Sequence, residues 1–171
     1  ESIVGSLSTG SDDDFYAITT DSSGTLTVQF QQDTSNSTYG YSIYILDAQN
    51  NTLAAESCTS YCVDAANSMS VGLNESGTYF VYIRSRYTST PPSGSYTVTA
   101  TFESGTPTGV ELEPNDSIAQ SISSGESIVG SLSTGSDDDF YAITTDSSGT
   151  LTVQFQQDTS NSTYGYSIYI L

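Results

Sequence analysis

The sequence predicts an all-β protein made of antiparallel β-sandwich units in tandem. Short segments alternate apolar and polar residues, a pattern that gives a strand one buried face and one wet face. Sequences rich in Gly, Asn, Asp and Pro separate these segments and are typical of turns. A block of residues occurs twice without one change, at 1–46 and at 126–171. No segment keeps a helical period for three turns.

Seven segments of the first 110 residues are predicted as strands. The clearest is 25–32, in which Leu26, Val28 and Phe30 alternate with Thr and Gln. Their number and spacing fit a sandwich of about seven to nine strands per unit. The seven segments are 2–7, 15–19, 25–32, 41–46, 68–73, 79–83 and 95–102.

The repeated block sets the predicted domain organisation. Its period is 125 residues, which exceeds the about 20–50 residues of solenoid repeats and suits a whole domain. The repeat favours a tandem array, with a single duplication as the alternative. Gly and Pro residues between the copies predict a junction at about 103–116. We therefore expect 1–110 to be one sandwich without its opening segment, and 111–171 to be the first half of the next.

The composition excludes several classes of function. The chain has 2 basic and 20 acidic residues, no histidine and a formal net charge of −18. Nucleic-acid binding needs clustered Lys and Arg, and histidine-dependent catalysis needs a histidine. No apolar run approaches the about 20 residues that span a bilayer. A chain rich in Ser, Thr, Asn, Gly and Tyr is typical of secreted or surface-displayed β proteins, so we expect an extracellular, non-catalytic protein.

The two cysteines, Cys58 and Cys62, predict a disulfide. They are separated by three residues, whereas redox motifs prefer C-x-x-C. Zinc would need two further ligands, and the sequence has no histidine and no third cysteine. A local disulfide that pins a loop is the simplest interpretation, and it fits an oxidising compartment.

Five asparagines match the N-glycosylation pattern. Such matches also arise by chance in a chain rich in Ser, Thr and Asn. Asn115 is in addition a candidate metal ligand, a role that excludes a glycan on the same side chain. The matches are at Asn36, Asn50, Asn74, Asn115 and Asn161.

An acidic cluster predicts a calcium site. Calcium prefers six to eight hard oxygen ligands, and two acidic segments supply them. Alternation along a strand lets Asp137 and Asp139 point the same way while Asp138 points elsewhere. The alternative is a solvated turn and a polar linker. The candidate ligands are Glu111, Glu113, Asn115 and Asp116 in the junction, Asp137 and Asp139 in the second copy, and their equivalents Asp12 and Asp14 in the first copy.

Several motifs resemble the bacterial pre-peptidase C-terminal domain family. They are ELEPND at 111–116, GSL at 130–132, DDDFY at 137–141, GTLTV at 149–153, YSIYIL at 166–171, ILDAQNNTL at 45–53, GTYFVYI at 77–83 and GSYTV at 94–98. The resemblance spans nearly the whole period. It implies a non-catalytic β-sandwich of secreted bacterial and archaeal proteins, often found beside a peptidase. Related domains of secreted collagenases bind calcium at the N-terminal segment, and some bind collagen.

Two functions are compatible with these features. In the first, the chain is a structural or adhesive repeat of a surface stalk, adhesin or filament, stiffened by calcium and joined by strand complementation through 111–125. Its partners are neighbouring repeats or identical chains. In the second, it is an accessory module of a secreted hydrolase that binds a polymer such as collagen or polysaccharide. For either function, a surface polymer or a host or cell ligand is a further candidate partner. The tyrosines are compatible with either a filled core or a binding surface: Tyr39, Tyr41, Tyr44, Tyr61, Tyr79, Tyr82, Tyr87 and Tyr96.

Overall fold

The computed structural model describes residues 1–33, 40–58, 67–87, 91–92, 94–157 and 165–171. These residues form strands and turns and no helix, so none of them lies in a helix that could cross a membrane. The strands of the described residues are β1 (Ser2–Gly5), β2 (Asp13–Thr20), β3 (Gly24–Gln32), β4 (Tyr41–Leu46), β5 (Thr52–Cys58), β6 (Asn67–Leu73), β7 (Gly77–Ser85), β8 (Tyr96–Ser104), β9 (Leu112–Glu113), β10 (Gln120–Ile122) and β11 (Tyr141–Ile143).

Two sheets form a β-sandwich, which confirms the predicted fold class. One sheet has the order β1-β8-β3-β6-β9 and the other the order β2-β7-β4-β5. Their ladders are antiparallel except for β6–β9, which is parallel. A separate parallel pair, β10–β11, follows the sandwich.

Strands β1–β8 of the sandwich come from two halves of residues 1–110, and each half pairs only with the other. Among the described residues, every ladder within β1–β8 joins one strand from 1–46 with one strand from 47–110. No ladder there joins two strands of the same half. Each half therefore depends on the other for its backbone hydrogen bonds.

The core lies between the two sheets and follows the predicted alternation. Leu26, Val28 and Phe30 of β3 are buried, as are the inward residues of β4 and β7. The rings of Phe30, Tyr41 and Tyr96 pack together, with centroids 5.0 to 5.5 Å apart. Aromatic clusters of this kind add packing energy beyond the area that they bury.

Strand β5 was not predicted, and its sequence explains why. TLAAESC contains Ala and Glu, which are depleted in strands, and Leu53 and Ala54 are both buried although they are adjacent. The register against β4 shifts between Ile45 and Leu46, which breaks the alternation. Strand β9 was not predicted either, whereas β1–β4 and β6–β8 overlap the seven predicted segments.

The second copy of the repeat has little regular structure. In its described part, 126–157 and 165–171, the only strand is β11. The residues equivalent to β3 and β4 lie outside any sheet there, and their apolar side chains are exposed. Its expected role as the first half of a further unit stays a prediction.

Several predicted features involve residues outside the described part of the chain. Cys58 is buried at the end of β5, but its expected partner Cys62 is not among the described residues, so the disulfide stays a prediction. The glycosylation candidates Asn36 and Asn161 are also outside it, as are Tyr39 and Tyr61.

Candidate metal centre

The junction segment is fixed against the edge of the sandwich. The Gly72 N–H donates to the Glu111 carbonyl oxygen at 2.7 Å, and the Glu111 N–H donates to Val129 O at 3.0 Å. A Cβ at position 72 would lie 2.7 Å from Leu112 Cδ2 and 2.9 Å from Glu111 O. Glycine at 72 therefore allows β9 to approach β6 closely, which places the first acidic residues between the sandwich and the second copy.

Gln120 closes the loop 110–120, which carries Glu111, Glu113 and Asp116. Its side-chain Nε2 donates to Val110 O at 3.1 Å, and its Oε1 accepts the Leu112 N–H at 2.9 Å. Its backbone N–H donates to Phe140 O at 2.8 Å, which ties the loop to the segment that leads from Asp139 into β11. No sequence pattern indicates this role, because the hydrogen bonds of Gln120 form only when the loop closes.

Three carboxylates converge at this point. One oxygen each of Glu111, Glu113 and Asp139 lie within 4.8 Å of one another. Burial, followed by the charges of Glu111, Asp137 and Asp139, raises the pKa of Glu113 to about 8. Burial, followed by the charge of Glu111, raises the pKa of Asp139 to about 8. Like charges held in a poorly solvated site oppose ionisation in this way, and a cation between them would remove the repulsion.

Glu111 is well supplied with hydrogen bonds. Its Oε1 accepts the Tyr141 hydroxyl at 2.6 Å and Asn115 Nδ2 at 3.0 Å, and its Oε2 accepts the Ser131 N–H at 2.9 Å. Burial and the bond to Glu111 raise the pKa of Tyr141, so Tyr141 remains a hydroxyl donor. A Cβ at Gly130 would lie 2.8 Å from Glu111 Oε2, so glycine leaves room for this carboxylate.

Three other oxygens of the cluster are buried without a hydrogen-bond partner: Glu113 Oε1, Asn115 Oδ1 and Asp139 Oδ1. Glu113 is 6% exposed and Asn115 is 1% exposed. An unpaired buried polar atom costs about 1–3 kcal/mol. Calcium binds such oxygens at about 2.3–2.6 Å, so ligands of one ion lie within about 5 Å of each other, as these carboxylates do. The donor set fits a calcium ion.

Two other predicted ligands, Asp137 and Asp116, lie next to these three carboxylates. Asp137 is buried and accepts the Ser133 N–H, and burial raises its pKa. Asp116 is exposed, and its Oδ1 accepts the Asp138 N–H at 3.4 Å. Both border the cluster of Glu111, Glu113 and Asp139 without belonging to it.

The equivalent residues of the first copy have other partners. Asp12 accepts Ser8 N–H at 2.6 Å and Ser8 Oγ at 2.8 Å, and these bonds lower its pKa. Asp14 accepts the hydroxyl of the buried Tyr96. Tyr96 also shares a hydrogen bond of 2.7 Å with the Tyr16 hydroxyl. In this copy a tyrosine from β8 thus contacts the carboxylate whose counterpart, Asp139, lies beside Glu111 and Glu113.

Aromatic side chains also line the outer face of the four-stranded sheet. Tyr82 stacks on Phe15, with centroids 4.4 Å apart, and on Tyr44, with centroids 5.4 Å apart. With Arg84 they line an open groove of about 440 Å³. The tyrosines therefore divide between the core, which holds Tyr41, Tyr79 and Tyr96, this outer face, and the exposed Tyr87.

The described glycosylation candidates differ in accessibility. Asn50 and Asn74 are exposed in turns. Asn115 is buried, so a glycan has no access to it in this fold. Its burial agrees with the role of an oxygen ligand.

Comparisons with known proteins give likenesses of fold only. No family model and no curated protein matches the chain. Among similar solved structures is the pre-peptidase C-terminal domain of a collagenase from Bacillus anthracis, with 17% identity and a TM-score of 0.41, covering 59% of this chain and 88% of that one. Membership of that family stays a prediction.

Two further solved structures have comparable scores. The K1 cleaved adhesin domain of Lys-gingipain from Porphyromonas gingivalis W83 has 18% identity and a TM-score of 0.39, covering 54% of this chain and 64% of that one. CBM35 from Cellvibrio japonicus Abf62 has 17% identity and a TM-score of 0.38, covering 57% of this chain and 74% of that one.

Proposed function

We propose that the chain is a non-catalytic, extracellular structural or adhesive module of a surface stalk, adhesin or filament, and that calcium at the junction stiffens the link between successive units. The buried and unpartnered oxygens of Glu113, Asn115 and Asp139 beside Glu111 carry this proposal. Together with Glu111 they form a cluster of hard oxygen atoms of the kind that binds a divalent cation.

This cluster joins two parts of the chain. Glu113 belongs to β9, which pairs with β6 of the sandwich, whereas Asp139 belongs to the second copy. Ser133 of that copy also donates its hydroxyl to Thr52 O of β5 at 3.1 Å. A cation that binds both carboxylates therefore restrains the second copy relative to the sandwich edge.

A non-catalytic role is supported by the chemistry available. The groove on the outer sheet face has no carboxylate among its lining residues, and the sequence has no histidine. The acidic cluster is buried against its own backbone donors, which suits ion binding better than access by a substrate. An identical repeat favours a mechanical role, because a catalytic site needs only one copy.

Thermal unfolding with calcium and with EDTA tests the calcium part. We expect calcium to raise the melting temperature and EDTA to reverse the change, because a ligand of the folded state stabilises it by mass action. Asp139→Asn should abolish the shift. Asp14→Asn is the matched control, because Asp14 is the residue of the first copy that is equivalent to Asp139. An equal shift in both variants, or no shift in the unmodified chain, would contradict the proposal.

Strand complementation through 111–125 is the second part of the proposal. Leu112 and Glu113 already extend the edge of the five-stranded sheet by pairing with Gly72 and Leu73. The same edge of another unit offers the same backbone groups. Deletion of 111–125 should therefore abolish assembly into stalks or filaments, as judged by electron microscopy. Filaments that persist after the deletion would refute strand donation by this segment.

A polymer-binding module of a secreted hydrolase is the alternative function. It is favoured by one observation, the stack of Phe15, Tyr82 and Tyr44 on an outer sheet face. Glycan-array and collagen pull-down measurements with Tyr82→Ala as control would detect this activity. Binding at micromolar concentration that the substitution removes would favour this alternative over the structural role.

A further inference from the structure

We propose that Asn50 carries an N-linked glycan and that the first sugars of this glycan lie in the groove on the outer face of the four-stranded sheet. Asn50 begins the glycosylation match Asn-Asn-Thr at 50–52. Both Asn50 and Thr52 also line the groove, beside the stacked aromatic rings. A glycan attached here starts at the margin of the groove, so its first sugars reach the rings without any movement of the sandwich.

The turn between β4 and β5 presents Asn50 to solvent. The Asp47 carboxylate accepts the N–H groups of Gln49 and Asn51 at 2.8 Å each and the Asn51 side-chain Nδ2 at 2.7 Å. Asn50 has a φ of 65°, in the left-handed region that asparagine tolerates better than most residues. The Asn51 side chain is thus held against Asp47, whereas Asn50 is exposed. An exposed turn of a secreted protein is the usual setting of a glycosylation acceptor.

The groove contains an apolar row that a wet sheet face does not require. Phe15, Tyr82 and Tyr44 lie directly opposite one another on β2, β7 and β4. Their rings stack with interplanar angles of 14° and 24°, and Phe15 is 53% exposed. A contiguous exposed apolar patch marks a surface that binds or is covered by another group.

A sugar fits both kinds of surface in the groove. One face of a pyranose ring consists largely of C–H groups and packs against aromatic side chains, while its hydroxyl groups accept and donate hydrogen bonds. The Arg84 guanidinium and the Thr52 hydroxyl supply such bonds at the groove margin. The volume of about 440 Å³ lies within the about 300–1,000 Å³ of small-molecule sites, which have similar aromatic and apolar linings with a few polar groups.

The covalent link favours the attached glycan over a free polysaccharide. A free ligand loses translational and rotational freedom when it binds. A glycan on Asn50 is already beside the groove, at an effective concentration on the order of 1 mM. In the glycosylated chain the groove is therefore covered by the molecule itself, which keeps the aromatic row from contact with other chains.

The structure distinguishes Asn50 from the other described glycosylation candidates. Asn115 is 1% exposed. Asn74 is exposed between β6 and β7 but is not among the residues that line the groove. The inference rests on the proposed extracellular location, because N-glycans are added during secretion. Asn74 separates the two ideas, since secretion would modify it whether or not a glycan enters the groove.

Mass spectrometry and thermal unfolding of the full chain test the inference. Glycopeptides of the protein from the cells that naturally secrete it report whether Asn50 is modified. Two variants secreted by a glycosylating host then retain the match at Asn50 alone or at Asn74 alone. Each is unfolded thermally before and after an amidase removes the glycan, at one calcium concentration. The first variant carries Thr38→Ala, Ser76→Ala, Ser117→Ala and Thr163→Ala, and the second carries Thr52→Val in place of Ser76→Ala.

We expect a glycan on Asn50 of the native protein. Its removal should lower the melting temperature by about 2–4 °C, and removal at Asn74 should lower it by less than about 1 °C. The amidase leaves an aspartate at either position, so the two removals are matched in charge. Adding Phe15→Ala or Tyr82→Ala to the first variant should abolish the difference that the glycan makes. Phe15→Ala leaves the sandwich folded, because the ring is exposed at the edge strand β2.

Several results would overturn the inference. One is an unmodified Asn50 in the native protein, and a glycan on Asn74 in the same sample would leave the extracellular location intact. Another is an equal change in melting temperature at Asn50 and Asn74, or a change at Asn50 that survives both Phe15→Ala and Tyr82→Ala. A third is binding of a free polysaccharide that Tyr82→Ala removes and that the Asn50 glycan does not weaken, which would assign the groove to a separate polymer.

Discussion

The two copies of the repeat have one sequence and two structures. Residues 1–46 form β1–β4, whereas the described residues of 126–171 form only β11. The difference lies in what surrounds them: β1–β4 pair with β5–β8, whereas the described part of the second copy pairs only through β11 with β10 and through Val129 with Val110. Strand propensity is thus a preference for a pleated, half-buried surface, and it produces a strand only where a neighbour supplies the ladder.

One turn, in contrast, has the same structure in both copies, at 8–12 and at 133–137. The turn S-T-G-S-D has an aspartate that accepts the serine N–H, as Asp12 accepts Ser8 and Asp137 accepts Ser133. Within each turn the aspartate N–H donates back to a threonine carbonyl, at 3.2 and 3.4 Å. Five residues are enough to form this turn, because the donors and acceptors of these hydrogen bonds all lie within it.

Electrostatic behaviour also depends on the surroundings. The hydrogen bonds from Ser8 lower the pKa of Asp12, which lies at the surface. Asp137 keeps the bond to Ser133, yet burial raises its pKa. Desolvation therefore outweighs an identical hydrogen bond when the turn packs against the acidic junction.

The largest expected effect is on stability, from one substitution made in each copy. Leu26→Ala should lower the free energy of unfolding by about 2–5 kcal/mol, because it leaves a cavity in the core. Leu151→Ala should change it by less than about 0.5 kcal/mol, as exposed substitutions do. Urea denaturation measures both, and similar values for the two variants would contradict the described difference between the copies.

A smaller effect is expected at the contact between the sandwich and the junction. Gly72→Ala places a methyl group against Leu112 and Glu111, and overpacking of this kind costs about 1–3 kcal/mol. We expect β9 to detach, seen as loss of hydrogen-exchange protection at the Gly72 N–H. Gly77→Ala is the control, because its Cβ would meet Tyr79 at an ordinary 3.5 Å. Protection that survives Gly72→Ala would show that the close approach is not required.

Removal of the Tyr96 hydroxyl, which contacts Asp14 in the first copy, has a still smaller expected effect on stability. Tyr96→Phe removes the hydroxyl that donates to Asp14, and a hydrogen bond contributes about 0.5–1.5 kcal/mol, or more when the acceptor is charged. Tyr141→Phe removes the bond to Glu111 but should leave unfolding of the sandwich unchanged. Thermal denaturation of the two variants compares them, and a larger loss for Tyr141→Phe would contradict this account.

A last effect, confined to the junction, is a pH dependence without divalent cations. Glu113 and Asp139 have pKa values raised to about 8 from 4.5 and 3.8, so the folded junction holds more protons than the unfolded chain between those limits. Its stability is therefore complete at low pH and is lost as pH rises through about 8. Carbon-13 NMR of the side-chain carboxyls in EDTA measures the midpoints. Midpoints near 4 for both residues would contradict the burial of these two carboxyl groups beside other negative charges.

The sequence predicted most of the sandwich and part of the candidate site. Alternation revealed β3 and β8, because one face of each is buried, whereas β5 escaped detection because adjacent residues are buried. Glu111, Glu113 and Asp139 could be grouped from their chemistry. Gln120, Tyr141 and Ser131 could not, because their contacts arise only when the loop closes. The irregular structure of the second copy was also not predictable, because its residues are identical to those that form strands in the first copy.

Calorimetric titration of calcium into the full chain measures whether the acidic cluster binds the ion. We expect one calcium ion per chain, bound where Glu111, Glu113 and Asp139 meet, with binding lost in Asp139→Asn and retained in Asp14→Asn. No binding to the unmodified chain, or binding that Asp14→Asn removes and Asp139→Asn retains, would contradict this expectation.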